Sequence, residues 1–400
     1  MLLQIFLFLF LGIFAGTITG LTPGIHINLV GALVVSLTTS VIFFSLTNPI
    51  YLVIFITAMA ITHTFVDFIP SIFLGCPNDD TALTVLPGHE LLLEGKGFQA
   101  IKLASLGALT GIIILILSSF PLFLIISSLY NKIKFFIPWI LILVSISLIF
   151  GEEKKFLAFF VFMLSGILGW NVLNFQTLKE PLLPLLTGLF GASTILISIK
   201  SKTKIPEQKP NEKLIYKGNF LKNSFAAFIF SPLAIFLPAL GSGQIALIGN
   251  SIARQDKKGF LFLQGAVNSL AMGYSFLALS TISKTRTGSA AAIEQLIGIP
   301  SSKIFILILI TALISGIASY FLSLKLGKIF LKIINHFNYS KISIFILILL
   351  IIITFIFSGI FGLMVLTASA SMGIYGILSG VRRTNLMGCL LVPTILYYIL

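Results

Sequence analysis

The sequence predicts an all-α, polytopic integral membrane protein, and three observations predict it. Apolar residues fill 57% of the 400 positions while Asp, Glu, Lys and Arg together fill 10%, against about a quarter charged in a soluble chain. The charges punctuate long uncharged runs: 1–66, 103–131, 135–151, 156–178, 181–199, 223–253, 259–283, 304–324, 342–381 and 384–400. Those runs do not alternate apolar and polar positions, as the strands of a membrane barrel must. Each is therefore read as helix.

At about 20 apolar residues per crossing, the composition accommodates roughly ten to twelve helices and no sizeable water-soluble domain. The first run holds about three spans and 342–381 about two. Apolar residues near the N-terminus are not preceded by any basic residue, which argues for a retained first helix over a cleaved signal. The net charge of +14 sits in short loops between apolar runs. Positive-inside topology places it there, whereas a nucleic-acid binder would gather it in one stripe. Cys76 and Cys389 make neither a disulfide framework nor a zinc site. No phosphate-binding Gly-Lys loop, His-Glu-x-x-His pair or nucleophile elbow occurs, so nothing supports an ATPase, a zinc protease or a serine hydrolase.

The stretch Lys200 to Lys222 carries seven Lys against Glu207 and Glu212, with Pro206 and Pro210. It reads as a basic cytoplasmic linker, 201–222, between a first membrane repeat, 1–200, and a second, 223–400. The halves resemble each other. FMLSGILGWNVL at Phe162 to Leu173 and FIFSGIFGLMVL at Phe355 to Leu366 agree at seven of twelve positions. LTPGIHIN from Leu21 pairs with LPALGSGQ from Leu237, and GCPNDDTA from Gly75 with SKTRTGSA from Ser283. The loop after the first broken segment is neutral from Ser36 to Asn48, whereas its second-half counterpart carries Arg254, Lys257 and Lys258. That asymmetry favours inverted repeats.

Gly12, Gly16, Gly20 and Gly24 recur every four residues on one helical face, where a second backbone can approach closely. At Gly24 the pattern changes, because Pro23 removes a donor and Thr22, His26 and Asn28 surround the break with polar atoms. Broken backbone at membrane depth is tolerated where it lines protein or water, and half-helix N-termini there aim N–H groups at an anion. An ordinary proline kink is the plainer alternative. The matching break in the second half is Gly241, Ser242, Gly243 and Gln244.

Pro70 to Pro87 reads as a re-entrant hairpin: an apolar arm, a polar tip of Cys76, Pro77, Asn78, Asp79, Asp80 and Thr81, and a second short arm. Asp79 and Asp80 are the expected coupling-ion carboxylates, because acids at membrane depth are costly unless they serve an ion or proton route. A solvated turn is the alternative. His63 and Asp67, four apart on the preceding helix, share a face. The second-half tip carries Lys284, Arg286, Thr287 and Ser289, so a basic tip would oppose the acidic one across an anion. Asn268 reads as a core amide, Gly88 to Gly97 as a solvated connector, and Arg382 with Arg383 as membrane-edge anchors.

Three stretches carry a family resemblance: GLTPGIHINLVGAL from Gly20, the run from Ile69 to Gly111 that contains GCPNDDTALTVLPGHE, and GVRRTNLMGCLLVPTIL from Gly380. They resemble the large membrane subunit of the tripartite tricarboxylate transporters, the TctA family, in its shorter archaeal branch. The resemblance implies a multi-pass secondary transporter of organic anions, with a small membrane subunit and an extracytoplasmic binding protein as partners. It departs at Pro238, Ala239, Leu240 and Gly241, and at Lys284 to Gly288, where the family shows a Gly-Ile-Pro-Gly-like turn.

The expected substrate set is Pro23, Gly24, His26, Asn28, Asn78, Thr81, Gly241, Ser242, Gly243, Gln244, Lys284, Arg286, Thr287 and Ser289. The expected partners are a small organic anion, the bilayer and a coupling Na⁺ or H⁺, with no other cofactor and no nucleic acid. Two rivals are a polyprenyl or lipid-phosphate translocase and an intramembrane prenyl-transfer enzyme that would hold Mg²⁺ on Asp79 and Asp80.

Overall fold

Helix fills the apolar runs in the structure, a computed structural model that describes residues 2–22, 48–74, 85–178, 180–200, 206–208, 218–236, 241–253, 255–336 and 339–400. No strand occurs among the described residues. The first half contains α1 (Leu2–Leu21), α2 (Pro49–Val66), α3 (Phe68–Phe73), α4 (Val85–Leu93), α5 (Gly97–Ile133), α6 (Ile137–Phe150), α7 (Lys155–Leu173) and α8 (Leu182–Lys200). The second contains α9 (Phe220–Phe236), α10 (Ser242–Ala253), α11 (Lys257–Ile282), α12 (Gly288–Ile297), α13 (Ser302–His336), α14 (Tyr339–Leu378) and α15 (Gly388–Ile399). Among the described residues 8 helical stretches are long and apolar enough to cross a bilayer, while α6 and α9 are shorter apolar helices. The chain is a multi-pass membrane protein. The expected ten to twelve crossings included about three in 1–66, where residues 23–47 lie outside the described residues.

Local signals set the helix ends. Asn48 accepts the Ile50 N–H at 3.0 Å, with Pro49 opening α2. Asp256 caps α11 through the Gly259 N–H at 2.9 Å, and Thr287 caps α12 through the Ala290 N–H at 3.2 Å. Each satisfies a donor that a helix start leaves open. Gly359 interrupts α14 with φ 64° and ψ −158°, a conformation that side-chain-bearing residues avoid. The run from 342 to 381 is thereby divided in two.

Packing depends on small residues. A Cβ at Gly12 would lie 2.5 Å from the Phe55 carbonyl oxygen, and one at Gly20 2.8 Å from the Val66 side chain. Gly16 meets the Met59 carbonyl between them, so the glycine face holds α1 parallel to α2. In the second half α9 runs parallel to α11, with Asn223 beside Gly259 at one end and Arg286, just past α11, on Ile235 at the other. Between halves, α5 and α11 are parallel, since Gly107 meets Phe262 and Gly273 meets Leu115. α2 and α13 are also parallel, with Leu307 packed on the cluster of Ile54 and Ala58, and Ser319 donating to Thr62 at 2.9 Å. α5 and α13 run antiparallel, from the Phe123–Phe305 ring pair to the Ser105–Ser323 contact. α2 is therefore antiparallel to α11.

α2 and α11 are almost wholly enclosed, whereas α1, α5, α13 and α14 turn apolar side chains such as Phe10, Phe120, Phe321 and Ile356 outward. Apolar exposure of this extent suits lipid and not water. Two connector readings change. Leu91 and Leu92 of the GHELLLEGKG stretch are buried in α4, because its leucines have the α3–α5 cluster to pack on. Gln208 of the linker is also buried, accepting the Gly97 N–H at 2.9 Å and donating to the Leu92 carbonyl at 2.8 Å. Gln208 is thus pinned over the start of α5.

Candidate functional site

The two enclosed helices carry their polar residues toward each other. In α2, His63 Nδ1 lies 3.0 Å from the Thr19 hydroxyl of α1, with both residues buried. Asp67, one turn further, is only 1% exposed. Asn268 of α11 donates to the Thr64 carbonyl at 3.3 Å and approaches Asp67 Oδ2 at 3.5 Å. Ser242, opening α10, donates to Asn268 Oδ1 at 3.1 Å and accepts from Gln264 Nε2 at 3.2 Å. A buried polar chain thus runs from the first half to the second, through Asp67, Asn268, Ser242 and Gln264. Asn268 stands near the midpoint of α11, at the depth where an acid or amide is most costly to hold.

Gln244, in the first turn of α10, is 2% exposed, and neither its amide oxygen nor its nitrogen has a partner among the described residues. Buried amides are nearly always satisfied, so an unsatisfied one beside the open N–H groups of a helix start marks a place for a ligand. Ser289 Oγ, fully buried in α12, likewise has no partner among the described residues.

The expected residues separate. Ser242, Gly243 and Gln244 are buried, Gly241 is half-buried before them, and Ser242 belongs to the polar chain. Thr287 caps α12 and lies 2.9 Å from the Ser275 hydroxyl. Arg286 donates to the Ile235 carbonyl at 2.8 Å and the Phe236 carbonyl at 3.3 Å, placing its charge on the C-terminal end of α9, where the helix dipole favours a cation. Lys284 is exposed. Pro23, Gly24, His26, Asn28, Asn78, Asp79, Asp80 and Thr81 lie outside the described residues. The described residues that flank that tip lie in the short helices α3 and α4, with Gly88 against Ile72.

Sequence reasoning missed Gln264 as a site residue and placed Asn268 in the core. One signal was available: the two amides are four apart on one face of a helix that is otherwise apolar there. Arg382 and Arg383 are more than edge anchors. Arg382 Nε pairs with the nearly buried Glu152 at 2.7 Å, and Asn385 donates to the same carboxylate oxygen at 3.1 Å. Arg383 donates to the Thr194 hydroxyl at 2.7 Å.

Comparison with known proteins agrees with this architecture. Residues 6–388 match the tripartite tricarboxylate transporter TctA family. The chain belongs to the TctA family. An uncharacterized protein of Methanocaldococcus jannaschii is 35% identical over 395 residues, covering 95% of each chain. No solved structure matches. TctA is a transporter family whose name makes its members components of a tripartite system. For this TctA-family chain, the polar chain between α2, α10 and α11 is the candidate site.

Proposed function

We propose that the chain is the large membrane subunit of a secondary transporter that moves a small organic anion, carboxylate-like, by coupling to Na⁺ or H⁺. The observation that carries this reading is the enclosed polar chain joining Asp67 to Gln264 through Asn268 and Ser242, with the unsatisfied Gln244 beside it. Open N–H groups at the start of α10 suit one carboxylate of the substrate, and the Gln244 amide suits a second oxygen. Asp67 suits the coupling cation, since carboxylates at membrane depth mark ion and proton routes. Asp79 and Asp80 remain coupling candidates from the sequence. A small membrane subunit and an extracytoplasmic binding protein complete the assembly.

The packing supports inverted repeats. If α2 corresponds to α11, and α5 to α13, each corresponding pair runs antiparallel. The contact of α2 with α13 then has its mate in α11 with α5, as expected of an axis in the membrane plane.

Uptake of radiolabelled citrate, succinate and malate into proteoliposomes, with imposed Na⁺ or proton gradients, tests the reading. The expected result is gradient-dependent uptake of at least one, reduced at least about tenfold by Asn268→Ala, from the loss of a buried polar contact near a charge. Uptake of none, with the partner subunits present, would overturn it.

A further inference from the structure

A cavity of about 250 Å³ opens between the C-terminal part of α10, the start of α11 and the connector from α14 to α15, on the side away from Arg286. Three cations stand on its wall. Lys257 is ion-paired with Glu90, and Arg382 with Glu152. Arg383 has no carboxylate partner among the described residues. Its hydrogen bond goes to the neutral Thr194 hydroxyl, which takes one of the five donors of a guanidinium.

Burial pushes the Arg383 pKa down to about 10, which still leaves it charged at neutral pH. Burial also lowers the His89 pKa, and the Arg383 charge adds to that shift. A guanidinium withdrawn from water without a counter-charge is costly, and an oxyanion relieves it through paired hydrogen bonds. The surrounding wall suits such a ligand. Asn250 uses its carbonyl oxygen on the Gln255 N–H at 3.0 Å, which leaves its NH₂ donors, and Thr384 adds a hydroxyl. The wall carboxylate, Asp256, is turned to the start of α11, where it accepts the Gly259 N–H.

The geometry points to a second anion site here, in which the Arg383 guanidinium, Asn250 and Thr384 hold one small oxyanion, a carboxylate or a phosphate group. The volume falls below the ~300 Å³ at which pockets for larger ligands begin. The site is distinct from the Ser242 centre, because Asn250 and Ser242 are eight residues apart on α10, about 12 Å by helical rise. Two sources share this chemistry. One is a soluble anion. The other is an anionic lipid headgroup, since a neighbouring cavity of about 500 Å³ shares Asn250, Arg382 and Thr384 and continues along the apolar residues Leu143 and Val144 of α6.

Calorimetric titration of the purified, delipidated full-length protein with sodium citrate, inorganic phosphate or dioctanoyl phosphatidic acid tests the proposal, and needs no transport activity. At least one probe is expected to bind. Arg383→Gln should weaken it at least about tenfold, as for loss of a charged hydrogen-bond donor. Asn250→Ala leaves every ion pair intact and should weaken it about three- to tenfold. The Arg383→Gln loss should recur unchanged in an Asn268→Ala background, since the two sites are separate. Binding of phosphatidic acid alone supports the site and assigns a lipid headgroup; binding of citrate or phosphate supports it and assigns a soluble anion. Absence of binding by the wild type, or both cavity variants within about twofold of it, overturns the proposal, and Asn250→Ala keeps that outcome readable if Arg383→Gln fails to fold.

Discussion

Asn268 and Asp67, 201 positions apart in the chain, meet with the amide nitrogen 3.5 Å from the carboxylate oxygen. The contact is long for a hydrogen bond, and the same nitrogen lies nearer the Thr64 carbonyl, at 3.3 Å. The buried Asn268 amide thus joins the two halves, on the Thr64 carbonyl and beside Asp67.

Asp67→Asn should abolish the dependence of uptake on the imposed ion gradient while leaving exchange of labelled for unlabelled substrate. The amide keeps the shape and the contacts but cannot hold a cation by charge. Proteoliposome uptake and counterflow measured on the same preparation check this. Gradient-driven uptake at the wild-type rate would move coupling to Asp79 or Asp80.

Gln244→Leu should stabilise the protein and impair it at once. An amide buried without partners costs about 1–3 kcal/mol, so the isosteric apolar residue is expected to raise the thermal midpoint. Uptake should fall at least about tenfold with loss of the donor. Thermal unfolding in detergent and uptake kinetics test the pair. A destabilised Gln244→Leu would show that the amide is satisfied in the native state.

The Glu152–Arg382 pair predicts an asymmetry. Glu152 is 8% exposed and Arg382 58% exposed at the side chain, so removing Arg382 strands a buried carboxylate, whereas removing Glu152 frees a cation that water can solvate. Arg382→Ala should cost about 1–3 kcal/mol, with Asn385 still donating to the carboxylate, and Glu152→Gln clearly less. Equal losses in denaturant unfolding would contradict this.

His89, in the α4 helix outside the spans, has its pKa lowered, chiefly by burial. Its folded form resists the proton that the unfolded chain accepts at the ordinary value of 6.5. Below that pH the unfolded state binds more protons, so stability should fall as pH drops from 6.5 toward the lowered folded value. His89→Gln should flatten that part of the pH profile of the thermal midpoint. An unchanged slope would place the titration elsewhere.

Sidedness is testable by cysteine labelling in a background without Cys76 and Cys389. The start of α5 and of α11, the end of α13 with Lys325, Lys328 and Lys332, and Gln208 lie on one face, and positive-inside topology makes that face cytoplasmic. Glu94→Cys should label only from the cytoplasm and Lys284→Cys only from outside. The reverse pattern would invert the orientation.

The sequence by itself determined the membrane class and the helical character of the apolar runs. Both rest on local physics: apolar runs must be long enough for the bilayer, and charges must sit outside it. The glycine face from Gly12 to Gly20 was legible for the same reason, since its four-residue spacing is a property of one helix. Only the tertiary structure decided which polar residues meet. A lone Asn268 in an apolar helix reads as core, and Arg382 before Arg383 reads as an edge anchor, because burial and partnering depend on residues a hundred or more positions away. Packing α2 against α11 turned Asp67, Asn268, Ser242 and Gln264 into one buried chain, and folding the α14–α15 connector onto α7 and α8 gave Arg382 a carboxylate and left Arg383 without one among the described residues.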